Sequence, residues 1–252
     1  MDLFSLQGKK AFISGAGQGL GREMALTLAE AGADVALASR NRETLNHTAD
    51  LIRKMGREVL VCPMDLTRIE DIDQAVNDTI GVFGRIDILI NNSGISKESP
   101  VIDMTPEKWD PVMDVNLRGH VFCSRAVGRH MMQKEGGKII NIASIMGLIP
   151  LTYNSSYGAA KAGLILFTKT LALEWARYNI QVNAICPGYF LTEMNREFFG
   201  SSMGQKVINK IPMRRIADPK ELRGVTLLLA SEASSFITGT VIVVDGGHIL
   251  GY

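Results

Sequence analysis

Tyr157 and Lys161 stand four residues apart in Ser156-Tyr157-Gly158-Ala159-Ala160-Lys161, with Ser144 upstream. On a helix, residues i and i+4 share a face with Cβ atoms about 5–6 Å apart, so a phenol and an amine at this spacing act on each other. A nearby ammonium favours phenolate over phenol and lowers the tyrosine pKa. Free tyrosine, with a pKa of about 10, is a poor base near neutrality, whereas one beside a cation is a usable general acid or base. Such pairs also occur on solvated helix faces, so the meaning of this one depends on the rest of the chain.

The chain has 252 residues, 46% hydrophobic and 21% charged, with a formal net charge of +1. That length supplies one large domain with ample core, and the composition is that of an ordinary globular protein. With no basic run, nothing marks it for nucleic acid or anionic lipid. Cys62, Cys123 and Cys186 lie roughly sixty residues apart, without the close pairing of a metal site, and read as free thiols of a reducing cytosol. His47, His120, His130 and His248 likewise lack ligand spacing, so no metal is expected. Residues 1–8 hold no signal-peptide apolar stretch, and no run of about twenty apolar residues could span a bilayer. The expectation is a cytoplasmic protein.

Apolar, β-rich runs at 10–14, 35–38, 59–62, 86–90, 138–142, 180–185 and 241–244 alternate with helical patterns at 21–31, 42–55, 69–82, 106–132 and 156–178. Short apolar runs separated by helices predict a parallel sheet covered on both faces. About seven strands make a single-domain, Rossmann-like doubly wound α/β fold across residues 1–252. The unusual residues fall at strand ends: glycines 15–21 after the first, Ser39-Arg40 after the second, Asp65 after the third. Asn91–Gly94 follow the fourth strand, Ser144 the fifth and Pro187-Gly188 the sixth. Open parallel sheets bind ligands at the carboxyl ends of their strands, near the switch in strand order, so one site is expected there.

Ser14-Gly15-Ala16-Gly17-Gln18-Gly19-Leu20-Gly21 joins the first strand to the first helix. Glycines permit a tight turn and close approach of backbone amides to phosphate, which the helix N-terminus also attracts. The spacing is G-x-x-x-G-x-G, not the commoner G-x-G-x-x-G. At the end of the second strand, NAD sites usually place an acidic residue for the ribose 2′-hydroxyl. Here Ser39 and Arg40 suit a 2′-phosphate, the guanidinium forking onto its oxygens. NADP(H) is therefore expected over NAD(H), with NAD(H) possible. Asp65 either accepts from an adenine amino group or caps the following helix.

Taken in order, the glycine turn, Asn91-Asn92-Ser93-Gly94, Asn116, Ser144, Tyr157, Lys161, Pro187-Gly188 and Val244-Asp245-Gly246-Gly247 resemble the short-chain dehydrogenase/reductase family over nearly the whole chain. Two small departures are Ser14, where threonine is commoner, and Ser93, where alanine is. The resemblance implies hydride transfer between a secondary alcohol and a ketone. Tyr157 would exchange the proton with the substrate oxygen, and Lys161 would depress its pKa and hold the nicotinamide ribose. Ser144 would hydrogen-bond the same oxygen, and Asn116 would hold a water linking Lys161 to solvent. The implied cofactor site comprises Gly15, Gln18, Gly19, Leu20, Ser39, Arg40, Asp65, Leu66, Asn92, Gly94, Tyr157, Lys161, Pro187, Gly188, Phe190 and Thr192, the last on the carboxamide or a phosphate. The family also implies a homotetramer.

Substrate choice is expected in residues 189–211, where Phe190, Met194, Phe198, Phe199 and Met203 give an apolar side and Glu193, Asn195 and Arg196 polar contacts. The segment reads as a lid or as an amphipathic helix pair on the core. The stretch Pro187-Gly188-Tyr189-Phe190-Leu191-Thr192-Glu193-Met194 resembles gluconate 5-dehydrogenases and related sugar-acid or polyol enzymes, with 3-oxoacyl-carrier-protein reductases as the main rival. A non-catalytic NADP(H)-sensing regulator is the rival of another class, and retention of Asn116, Ser144, Tyr157 and Lys161 argues against it. Consecutive Leu164, Ile165, Leu166 and Phe167 make a helix apolar on more than one face, as a subunit contact requires.

Overall fold

Successive side chains of a strand point to opposite faces of its sheet. In β1 (Lys10–Ser14), Ala11 and Ile13 enter one core and Phe12 the other; in β2 (Asp34–Ser39), Val35 and Leu37 join the first and Ala36 and Ala38 the second. Both faces are covered, which is why these runs are continuously apolar. The computed structural model describes residues 3–134, 136–193 and 195–251. Beyond β1 and β2 lie β3 (Val59–Pro63), β4 (Ile88–Asn91), β5 (Gly137–Ile142), β6 (Ile180–Pro187) and β7 (Val241–Val244). All neighbours pair in parallel, in the order β3-β2-β1-β4-β5-β6-β7. Strand order reverses between β1 and β4, which opens a crevice at their carboxyl ends.

The α-helices are α1 (Gly19–Glu30), α2 (Arg42–Lys54), α3 (Ile69–Phe83), α4 (Pro106–Met113), α5 (Gly119–Met131), α6 (Ser155–Trp175), α7 (Arg196–Gly200), α8 (Ser202–Ile208) and α9 (Arg223–Ala230). Met24 and Leu28 of α1, Ala49 and Ile52 of α2 and Leu229 of α9 pack on one face. Ile72 and Val76 of α3, Cys123 and Val127 of α5 and Leu171 of α6 pack on the other. The result is a doubly wound α/β domain. Among the described residues no helix is long and apolar enough to cross a membrane.

One expected element is corrected. The helix read as continuous over 106–132 is interrupted by a π-helical turn, Asp114–Arg118, between α4 and α5. Apolar periodicity runs through such a turn almost unchanged, so the sequence pattern does not register it. The wider turn re-aims Asn116 inward; π-bulges of this kind occur frequently at functional sites.

Candidate active site

The first βα turn is built as an anion cradle. Gly15 has φ +70, a left-handed conformation open to glycine without Cβ strain, and a Cβ on Gly21 would collide with the Gly15 carbonyl oxygen. Asn92 closes the turn from β4: its Nδ2 donates to the Gly15 carbonyl at 3.1 Å and its N–H to Ser14 Oγ at 3.1 Å. Gln18 precedes α1 but its side chain does not cap it, and the first turn holds no acidic residue. The N–H groups of that turn therefore lack a side-chain partner, an arrangement that suits an anion. Leu20 packs on the core, while Thr192 Cγ2 lies 3.7 Å from the place of a Cβ on Gly19. The two expected ends of the cofactor site therefore meet.

Ser39 ends β2 and Arg40 is exposed beside it. Burial works to raise the Asp65 pKa, but hydrogen bonds from the Thr67 N–H (2.9 Å) and hydroxyl (2.8 Å), with the charges of Arg40 and Arg68, hold it below its usual range. Arg68, not Asp65, takes the N-cap position of α3, so the capping alternative for Asp65 falls. Leu66 and Phe190 are core side chains, 5% and 3% exposed. Leu66 packs against Gly119, and Phe190 pairs with Ala217 as an isolated bridge. At both positions it is the backbone, not the side chain, that is left to meet a cofactor. Gly188 packs against Asp245 and donates to the Val244 carbonyl at 2.9 Å, placing Pro187-Gly188 at the end of β6.

Tyr157 and Lys161 lie in the first turns of α6, on one face: the Lys161 amine is 5.7 Å from the Tyr157 ring centre. Lys161 is 2% exposed, and its Nζ donates to the Ile142 carbonyl at the end of β5 at 2.7 Å. Burial brings its pKa down to about 8, against a small opposing effect from Cys186. Burial raises the Tyr157 pKa, the Ser144 hydroxyl opposing it. This direction is opposite to the lowering expected from Lys161, because burial is the largest influence on the phenol. Ser144 caps the short helix Ile145–Gly147 by accepting from the Met146 N–H at 3.1 Å. Its hydroxyl also hydrogen-bonds Tyr157.

Asn116 is fully buried, with Oδ1 accepting from the Ile95 N–H and Nδ2 donating to the Ile95 carbonyl, both at 2.8 Å. Its amide clamps the loop after β4. A Cβ on Gly94 would stand 3.5 Å from Asn116 Oδ1 and 3.7 Å from Lys161 Nζ. Asn116, Gly94 and Lys161 are thus one cluster, and the space beside the amine is one a Cβ would fill.

Other features escaped the sequence. Asn91 Nδ2 donates to Ser124 Oγ (2.9 Å) and Asn141 Oδ1 (2.8 Å), and Asn141 Nδ2 donates to Thr168 Oγ1 at 2.9 Å. This buried chain ties β4, β5, α5 and α6 together and fixes the register of α6. Its sequence signals were Asn141 inside an apolar strand and Asn91 at the end of another. His120, also fully buried, has neither ring nitrogen in a well-formed hydrogen bond. Burial, then the nearby Lys161, press its pKa well down, only the Ser93 backbone acting the other way. In the 189–211 segment Phe199 is buried, while Phe198 and Met203 are 45% and 60% exposed; Met194 lies outside the described residues. A groove of about 430 Å³ between Leu191, Phe199, Ile208 and Ile216 contains no catalytic candidate.

Comparison with known proteins agrees with this geometry. A family model described as enoyl-(acyl carrier protein) reductase matches residues 15–248. The chain belongs to the short-chain dehydrogenase/reductase family. It is accordingly an oxidoreductase. The 2-dehydro-3-deoxy-D-gluconate 5-dehydrogenase of Escherichia coli strain K12 is 37% identical over 251 residues, 99% of this chain and 98% of that protein. The NAD-dependent glycerol dehydrogenase of Listeria innocua is 35% identical, over 98% of this chain and 96% of its own. The gluconate 5-dehydrogenase of Burkholderia cenocepacia J2315, solved in complex with NADP and tartrate, superposes with a TM-score of 0.94 at 36% identity, over 99% of this chain and 98% of its own.

Proposed function

We propose that this family member is an NADP(H)-dependent enzyme interconverting a secondary alcohol and a ketone on a sugar acid or polyol. The observation that carries the reading is the meeting of Ser144, Tyr157 and Lys161 beside the Gly94–Asn116 cluster, at the strand ends that also hold the glycine turn. Relatives acting on gluconate-type acids support the substrate class, and the NADP complex supports the cofactor. The NAD-dependent glycerol dehydrogenase keeps NAD(H) within reach of the same scaffold.

The bound nicotinamide supplies or accepts the hydride. Charge developing on the substrate oxygen requires a proton donor and a fixed dipole beside it. Tyr157, its phenol held protonated by burial, is the donor in the reductive direction, and the Ser144 hydroxyl orients the same oxygen. Lys161, with a pKa of about 8, replaces the proton, which it draws from solvent through a water held at Asn116. Arg40 and Ser39 take the 2′-phosphate, and the uncapped first turn of α1 takes the pyrophosphate. Residues 189–211 admit the substrate. Leu166 and Leu173 on the outer side of α6 are 66% and 85% exposed, which supports a homo-oligomer, a tetramer by family resemblance, measurable by light scattering. Free, buried cysteines fit a cytoplasmic location.

The test is oxidation of NADPH and NADH, followed spectrophotometrically, with 5-keto-D-gluconate, a ketose and a β-keto thioester. The highest kcat/KM is expected with NADPH and the keto acid. A leading β-keto thioester would move the assignment to the 3-oxoacyl-carrier-protein reductases. Absence of turnover on every carbonyl would sink the reading.

A further inference from the structure

The residues just ahead of Tyr157 depart from local rules together. Tyr153 holds φ at +65, a left-handed conformation rare and costly for a bulky side chain, and its ring is 59% exposed. Asn154 sits at the N-cap of α6, where asparagine ordinarily accepts from backbone N–H groups of the first turn. It makes no such bond. Its Oδ1 instead accepts from the Ser96 hydroxyl at 2.8 Å, and its Nδ2 donates to the Thr152 carbonyl at 3.3 Å. Asn154 is 7% exposed, whereas Ser96 is open to solvent. A bond from the Ser99 N–H to the Tyr153 carbonyl, 2.8 Å, fixes the loop after β4 against the start of α6.

This pair lies within the catalytic neighbourhood. Ser96 follows Gly94, which adjoins Lys161, and Ile95, which Asn116 clamps. Asn154 and Tyr157 are three residues apart at the head of α6. Ser96 has given its proton to Asn154, so its oxygen lone pairs remain to accept. Asn154 has spent one amide hydrogen on Thr152, and the second has no partner among the described residues. An acceptor and a donor side by side complement an alcohol, which both donates and accepts.

We propose that Ser96 and Asn154 form a substrate subsite binding a hydroxyl on a carbon that flanks the reacting one, and so select polyhydroxylated substrates; this rests on the sugar-acid or polyol reading above. A site made to hydrogen-bond a substrate hydroxyl rejects the analogue lacking it, because its polar groups are then left unpaired. The Asn154 amide forgoes helix capping in order to face that position.

The experiment measures kcat/KM with NADPH for 5-keto-D-gluconate and for its analogues lacking the C4 or the C6 hydroxyl, in wild type, Ser96→Ala, Asn154→Ala and Asn154→Ser. NADPH affinity and thermal melts verify that each variant is folded. Wild type should prefer the parent keto acid over one analogue by about tenfold or more. That ratio should fall toward one in Ser96→Ala and Asn154→Ala, through KM rather than kcat, with Asn154→Ser in between. Variants that keep the wild-type ratio overturn the subsite. So does a wild type that prefers 5-keto-D-gluconate to cyclohexanone yet does not discriminate against either analogue. A wild type that reduces cyclohexanone as well as the keto acid overturns the sugar-acid reading itself. If Asn154→Ala fails to fold, the exposed Ser96→Ala decides the matter.

Discussion

The two ends of the sheet use charge in opposite ways. At the amino end of the strands every buried carboxylate is matched: Asp34 accepts from Lys10 Nζ at 2.6 Å and the Glu58 N–H at 2.9 Å, with Arg57 at 3.5 Å. Asp87 takes the Lys10 N–H at 2.8 Å and pairs with Arg85. At the carboxyl end, Lys161 is buried against a carbonyl and has no carboxylate partner among the described residues. Near it His120 has unpaired ring nitrogens, and at the head of α6 Ser155 and Ser156 have unpaired hydroxyls after Tyr153 with its strained backbone. One end holds the strands together. The other keeps polar capacity unspent, which is what chemistry on a ligand requires.

The largest effect separating the ends is expected from Tyr157→Phe, which should lower kcat by about 10²–10⁴-fold with NADPH affinity retained. Steady-state kinetics with cofactor titration measures both, and a variant keeping more than a few per cent of turnover breaks the assignment. Next is Asp34→Ala at the opposite end, which should cost about 3 kcal/mol in urea unfolding at pH 7 by stranding Lys10 and the Glu58 N–H, while NADPH affinity holds. Burial works to raise the Asp34 pKa, but Lys10, the Glu58 N–H and Arg57 bring it below the ordinary value. Its stabilisation is therefore present above the unfolded pKa of about 4 and fades as pH falls below it. Wild type and variant should accordingly converge in acid.

A smaller change, about 10- to 150-fold, is expected in cofactor preference for the Ser39→Asp, Arg40→Ala double variant, reversing the NADP/NAD ratio of kcat/KM. The smallest tests the unpaired amine. Lys161 has a folded pKa of about 8, below the unfolded value of about 10.4, so the unfolded chain binds more protons between those values. Stability should rise with pH across that window and carry the burial cost below it. Lys161→Met should remove this rise and gain about 1 kcal/mol at pH 7, read from denaturant melts of the protein alone. A loss of stability at pH 7 would mean that the Ile142 bond outweighs the buried charge.

Much of this was legible in the chain. Strand and helix periodicities gave the sheet because both faces are buried, and glycine, Ser39-Arg40 and the Tyr-Lys spacing fell at strand ends. The π turn was not legible, since one widened turn barely alters apolar spacing. Nor was the Ser96–Asn154 bond, whose partners are 58 residues apart. Leu66 and Phe190 have core side chains because burial depends on which way a loop turns, which residue type does not specify.

The order of residue types alone determined the layering, the glycine-rich turn and the Tyr157–Lys161 pair proposed to handle protons, because these follow from local periodicity and from chemistry at fixed spacing. Tertiary structure decided how those groups are tuned. Removal from water, which depends on packing from distant segments, pushes the Tyr157 phenol up and brings the Lys161 amine down to about 8, and no local spacing encodes that desolvation.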